Sequence, residues 1–191
     1  MNKKTILHFI AAMAACFAIG CAMAGVVHLY DLTFDTPAPI TGGQTIDFSA
    51  YGFTLTVPDG YALNDYTTSN FAEGGNALFA GCAYYEGNEL YIYCYKNEAG
   101  DDLSDYPEQD IVTHYTSAGA VDVRFRTLGE RPFICYTVSV LGDEGTETWY
   151  TYETWDEGHQ LVFETRMSPS AALPILGTIA FVPAADSSTP Q

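Results

Sequence analysis

Nucleophilic chemistry in this chain would have to come from a cysteine and a histidine brought together. Beyond the apolar run at the start, the thiols are Cys82, Cys94 and Cys135, and the imidazoles of the later chain are His114 and His159. A thiol hydrolase needs both side chains in hydrogen-bond reach, with surroundings that stabilise the thiolate. Cys94 or Cys135 with His114 or His159 are the pairings to weigh. Both cysteines stand in strand-like runs among aromatics, where burial raises a thiol pKa and works against that role. Three thiols allow at most one internal disulfide. The plainer expectation is three buried thiols packed as small hydrophobes.

Carboxylates are the other reactive resource, with 24 acids in the chain. Asp101, Asp102 and Asp105, with Glu108 and Asp110 close behind, could offer oxygens to calcium. Calcium wants six to eight oxygens from a shaped loop, and no EF-hand spacing is present. Acids also gather at a helix start because the helix dipole favours them there, so no metal and no cofactor are expected. A carboxylate pair for glycoside cleavage is defined by separation in space, which spacing along the chain does not supply. No zinc-ligand spacing, phosphate loop, G-x-S-x-G or G-x-G-x-x-G is found. Aromatics remain. Tyr84, Tyr91, Tyr93, Trp149 and Tyr150 are the candidates for a sugar- or peptide-binding face. Aromatics in strands are mainly packing residues, so this reading depends on their being exposed together.

The elements that would position these groups are mostly strands. Residues 146–167 form two β-rich runs about Asp156-Glu157-Gly158, a hairpin signal. A three-residue loop, with Gly158 at positive φ as a bulge, puts Thr151 opposite Phe163. Trp149, Trp155, Leu161, Phe163 and Met167 then share one face, with Glu153 among them. A two-residue loop shifts the register by one and gives that face Tyr150 and Tyr152 instead. The first register is the expected one. Gly87-Asn88 reads as the two-residue turn of a second hairpin, Ala77–Tyr85 with Glu89–Lys96. That turn sets Cys82 opposite Tyr93 and turns Cys94 to the other side.

The other segments follow from periodicity and turn chemistry. Val26–Tyr30 could be a short strand in a lead-in broken by Pro37, Pro39, Gly42 and Gly43. Phe53, Leu55 and Val57 alternate with threonines, a half-buried strand that ends at Pro58-Asp59-Gly60. Tyr61 and Ala62 begin its return strand. A helix over Asp105–Gly119 is expected, with Asp105 as N-cap, Pro107 in the first turn and an Ile111/Val112/Tyr115 stripe. Val121–Phe125 and Pro132–Val140 read as strands about a Thr127–Glu130 turn. A second helix over Ser170–Ala180 should be short or distorted by Pro174 and Gly177. Its apolar face holds Leu173, Leu176 and Ile179.

The N-terminus reads as an export signal. Met-Asn-Lys-Lys precedes an apolar run over Ile6–Gly20 and then small residues. Ala22-Met23-Ala24 predicts cleavage before Gly25. Phe17–Cys21 also resembles a bacterial lipoprotein box, which would make Cys21 a lipidation site instead. No later run is long and apolar enough to form a membrane-spanning helix. Removing Lys3 and Lys4 leaves five basic residues against 24 acidic ones, a formal charge of −19. Such a surface excludes nucleic-acid binding, which needs clustered Lys and Arg. The chain divides into a signal at 1–24, a lead-in at 25–45, one α+β domain at 46–182 and a frayed tail at 183–191.

Gly52-Phe53-Thr54-Leu55-Thr56-Val57-Pro58-Asp59-Gly60-Tyr61, the aromatic hairpin Trp149–Met167 and the closing Ile175–Phe181 together resemble the PsbP-like fold group. That group includes extrinsic photosystem II subunits and DcrB-type bacterial lipoproteins. The resemblance implies an α/β sandwich, one antiparallel sheet flanked by two or three helices. It implies no catalytic residues. The expected role is an exported, non-catalytic domain of the bacterial envelope or medium, acting through protein or glycan contacts. The alternative is a secreted hydrolase with a Cys–His or carboxylate pair.

Overall fold

Strand alternation dominates the chain, and two separate antiparallel sheets result. The computed structural model describes residues 40, 42–67, 77–142 and 145–182. The signal segment with Cys21 and Ala24, the Val26–Tyr30 strand and the 183–191 tail lie outside the described residues. The small sheet contains β1 (Gln44–Phe48), β2 (Phe53–Val57) and β10 (Ala180–Phe181), in the order β1-β2-β10. The large sheet contains β3 (Ala62–Asp65), β4 (Ala77–Tyr85), β5 (Asn88–Lys96), β6 (Val121–Leu128), β7 (Arg131–Gly142), β8 (Gly145–Trp155) and β9 (His159–Thr165). Its order is β3-β4-β5-β9-β8-β7-β6. Two α-helices are described, α1 (Glu108–Ser117) and α2 (Pro169–Leu176).

Two sheets replace the single sheet expected from sequence. The P-D-G segment does not fold β3 back on β2. It carries the chain across to pair β3 with β4, Ala62 opposite Tyr84. β2 pairs instead with β1, whose Gln44 and Thr45 fall in the expected lead-in. Its other edge takes β10, so the second helix stops at Leu176 and not at Ala180. Thr178 marks the change: its hydroxyl donates to the Thr56 carbonyl at 2.8 Å and accepts from the Thr56 amide at 2.9 Å.

Turn geometry corrects two registers. Glu86 and Gly87 both have positive φ, +47° and +82°, the two-residue turn whose twist suits a hairpin. Tyr85 therefore faces Asn88, and Cys82 faces Tyr91, not Tyr93. The slip is two residues, so every side chain keeps its expected face. The β8–β9 hairpin slips by one. Tyr152, not Thr151, faces Phe163. Gly158 has no positive φ and forms no bulge. The reason is Asp156, whose carboxylate accepts from the amides of Gly158 at 2.9 Å and His159 at 2.8 Å. That side-chain turn closes a two-residue loop without a bulge residue.

Each face of the large sheet is covered differently. The inner face buries Leu90, Ile92, Cys94, Phe133, Tyr152, Leu161 and Phe163 against β2 and α2. Leu173 and Leu176 of α2 and Phe53 of β2 complete this core. The outer face carries α1, which packs Ile111 and Tyr115 on Ile134 and Trp155. Helix α1 begins after Pro107, which takes the N-cap position. The expected capping residue Asp105 serves one turn earlier. There Asp102 and Asp105 cap each other's backbone around a 3₁₀ turn at Leu103–Asp105. Gly119, at φ +98°, ends α1 as expected. No described helix is long and apolar enough to cross a membrane.

A tyrosine row with an unpartnered carboxylate as the candidate functional site

The outer face follows from strand alternation. Every second residue of β5 points outward, which lines up Tyr91, Tyr93 and Tyr95. Across β9 stand Glu164 opposite Tyr91, Val162 opposite Tyr93 and Gln160 opposite Tyr95. Across β8 follow Thr151, Glu153 and Trp155, and across β7 Tyr136 and Ile134. Helix α1 and the 3₁₀ turn before it sit over the β7–β8 half. Tyr115 of α1 packs on Tyr136 at 5.0 Å between ring centroids, and Tyr106 packs on Trp155 at 6.3 Å. The β5–β9 half has no helix over it among the described residues.

The two outer carboxylates have opposite surroundings. Glu153 is 6% exposed and accepts hydrogen bonds from Tyr115 at 2.9 Å, Tyr136 at 3.3 Å and Gln160. Burial raises its pKa, and those three donors pull the other way. Glu164 lies diagonally across from Glu153 on the same face. No hydrogen bond from a described residue reaches its carboxylate. Burial, then the Glu153 charge, push the Glu164 carboxyl up to about 7.

The phenols stay protonated beside it. Tyr93 and Tyr95 lie near-parallel, 6.2 Å apart with 18° between ring planes. Burial first, then Glu164 and Glu153, push Tyr95 up to about 12; burial, with Glu164, also raises Tyr93. Neither hydroxyl bonds to a described residue, so both are donors in waiting. Tyr91 donates to Glu89 at 3.1 Å and meets Trp149 at 5.7 Å. Arg166 caps that end of the row, over Trp149 at 5.4 Å and paired with Glu89 at 3.3 Å and Glu147 at 3.5 Å.

Four of the five aromatic candidates share this face. Tyr84, Tyr91, Tyr93 and Trp149 do, with Tyr84 at the exposed end of β4. Tyr150 points inward against the main core, a consequence of the one-residue slip. Tyr95, Glu153 and Glu164 were not singled out from sequence. The i, i+2, i+4 tyrosine spacing was a usable signal for Tyr95. Glu164 needed the sheet order as well.

The other candidates scatter. Asp101 accepts from Tyr106 and Asn97, and Asp102 and Asp105 are spent on capping. Among the described residues no group of three or more His, Cys, Asp or Glu could hold a metal. Cys82, Cys94 and Cys135 are all free and buried. Burial, with the Asp156 charge, pushes the Cys94 thiol up to about 12. Burial pushes Cys135 up to about 12 against the pull of Arg126 and Arg124. His114 is on α1, across the sheet from both Cys94 and Cys135. Its Nε2 is buried without a partner among the described residues. His159 sits at the hairpin turn, its Nδ1 3.9 Å from Asp156. No described hydrogen bond joins a cysteine to a histidine.

An antiparallel large sheet backed by a small sheet and one helix, with a second helix on its far face, defines an α+β domain rich in strands. The sequence matches no protein-family model and no curated protein. Among solved structures the chain is similar to cyanobacterial PsbP (CyanoP) from Synechocystis sp. PCC 6803. That match has a TM-score of 0.51 at 12% identity, covering 78% of this chain and 98% of the other. A second match, to a Bacteroides thetaiotaomicron VPI-5482 protein, has a TM-score of 0.47 at 13% identity. It covers 79% of this chain and spans 52% of that one. The chain has a PsbP-like fold, built here with two sheets and two described helices.

Proposed function

We propose that this chain is an exported, non-catalytic domain of the bacterial envelope that binds a protein or glycan through the β5–β9 half of its outer face. The observation that carries the reading is the row Tyr91, Tyr93, Tyr95 beside Glu164, a carboxylate with no described donor. Glu164 is half-buried and keeps access to solvent beside the tyrosines, and the packing of the sheet does not call for an acid without a donor at that place. A surface that must engage a ligand does keep free donors and acceptors next to rings. The signal-like N-terminus supports export, and the acidic composition suits a soluble life outside the cytoplasm. Against the hydrolase alternative stand the high thiol pKa values and Glu153, whose carboxylate is already committed to three donors.

Sedimentation with washed bacterial envelopes tests this reading. The wild-type protein should pellet with envelopes in a saturable way. The double variant Tyr93→Ala/Tyr95→Ala should bind at least about tenfold more weakly, the scale of losing one or two good ring contacts. Circular dichroism of the variant checks that it stays folded. Equal pelleting of the two proteins, or none by either, sinks the proposal.

A further inference from the structure

We propose that the open half of the outer face recognises a cationic side chain, the ammonium or guanidinium group of a basic protein segment, held over Tyr93 and Tyr95 with Glu164 as its counter-charge. This rests on the binding reading above and names the class of partner.

Glu164 has no cationic partner among the described residues. It stands between Tyr91 on β5 and Thr151 on β8. The groups facing it are Tyr91, Tyr93 and Tyr95 from β5, Glu153 from β8 and Tyr136 from β7. Tyr115 of α1 reaches only as far as Glu153. None of these is a cation. Arg166, just past the end of β9, is turned away to Glu89, Glu147 and Trp149. So the neighbours of the carboxylate are tyrosine side chains and a second acid, an environment that favours a positive charge. Arg166 over Trp149, between two glutamates, already shows the same arrangement filled from within the chain.

Charge complementarity selects among occupants. The chain holds seven basic residues against 24 acidic ones, a formal charge of −17. A basic segment is drawn towards such a surface, whereas an acidic peptide or anionic lipid is repelled. A neutral sugar could stack on the tyrosines, but it gains little when Glu164 ionises. A cation gains directly. Binding of a cation should therefore strengthen as Glu164 loses its proton, and Glu164 does so near neutral pH.

Nuclear magnetic resonance titration of the full chain decides the matter. The probes are an end-blocked peptide with alternating lysine and arginine, the same peptide with glutamine in their place, and chitotetraose. The cationic peptide should shift Tyr93, Tyr95 and Glu164 while the glutamine peptide does not. Its affinity should rise about tenfold from pH 6 to pH 8, the change in ionised fraction for a group titrating near 7. Glu164→Gln should lower affinity about tenfold and remove the pH dependence. Glu108→Gln changes net charge equally on the exposed start of α1 and should do neither. Tyr95→Leu keeps an apolar strand residue and should also weaken binding.

If Glu108→Gln weakens binding as much as Glu164→Gln, the attraction is to net charge and the site is wrong. Shifts of the same tyrosines by chitotetraose alone would replace the cation with a glycan and leave the binding face standing. Failure of every probe to shift that face would remove both readings.

Discussion

Burial of Glu164, which has no donor among the described residues, and then the charge of its diagonal neighbour Glu153 hold its proton to a higher pH in the folded chain than in the unfolded one. A carboxyl raised from 4.5 to about 7 stabilises the fold below the unfolded value and loses that contribution as pH rises through 7. The loss is at most about 3.5 kcal/mol, because one pKa unit is worth about 1.4 kcal/mol. Urea melts at pH 5 and pH 8 measure it. Wild type should be less stable at pH 8 than Glu164 alone would leave it if neutral, and Glu164→Gln should recover most of the difference at pH 8. Identical pH profiles for the two proteins would show that Glu164 is not the strained group. From sequence the tyrosines of this site were visible, since Tyr91 and Tyr93 stand in an alternating strand. Glu164 was not, because its place depends on which strand β9 joins. The three-residue loop expected from sequence sets Glu153 on the face of Phe163, whereas the two-residue loop turns Glu153 and Trp155 to the other face.

At the scale of elements, the β8–β9 hairpin shows which parts of a register error matter. Phe163 lies on the odd side of β9 in either register, so its burial survived the slip. It is fully buried, with Phe53 of β2 edge-on at 6.0 Å and Phe133 of β7 at 6.2 Å. Phe163→Ala should cost roughly 3–5 kcal/mol, the range for a core phenylalanine. A denaturant melt measures it, and a cost below about 1 kcal/mol would mean that this core is not packed as described. The partner strand β8 is where the slip acted, exchanging Trp149 and Trp155 for Tyr150 and Tyr152 on the inner side. The cause is one side chain. Asp156 closes the loop with its own carboxylate and also pairs with Arg131. Burial pushes that carboxyl up, but Arg131 and the Gly158 and His159 amides more than offset it and hold it below its usual value. Sequence marks Asp156 as a turn former but does not say whether its turn has two residues or three.

For the molecule as a whole, the strands were legible and their partition into two sheets was not. Alternation marks a strand without naming its neighbour. The short pieces Gln44–Phe48 and Ala180–Phe181 carry almost no alternation signal, yet they flank β2 and complete the small sheet. That sheet covers the inner core, with Phe53, Leu55 and Val57 fully buried. Its integrity depends on the last described residues. Thr178 holds both backbone groups of Thr56, Ile179 is 3% exposed in the core, and Val182 donates to the Gly52 carbonyl at 2.9 Å. Phe181 packs on Phe133 at 6.3 Å and lies under Arg131 at 4.2 Å. Ending the chain after Gly177 would bare one edge of β2 and uncover part of the core. Burial of Ile179 alone is worth about 1.5–3 kcal/mol, and the Thr178 bonds add about 1 kcal/mol each. Marginal stability of a domain this size leaves little to absorb that loss. The truncated protein should therefore melt well below the full chain or precipitate, while a chain ending after Val182 should melt with it. Thermal denaturation of the three lengths makes the comparison. A Gly177-ended chain as stable as the full one would mean that β10 is an ornament on the small sheet and that β1 and β2 hold over the core without it.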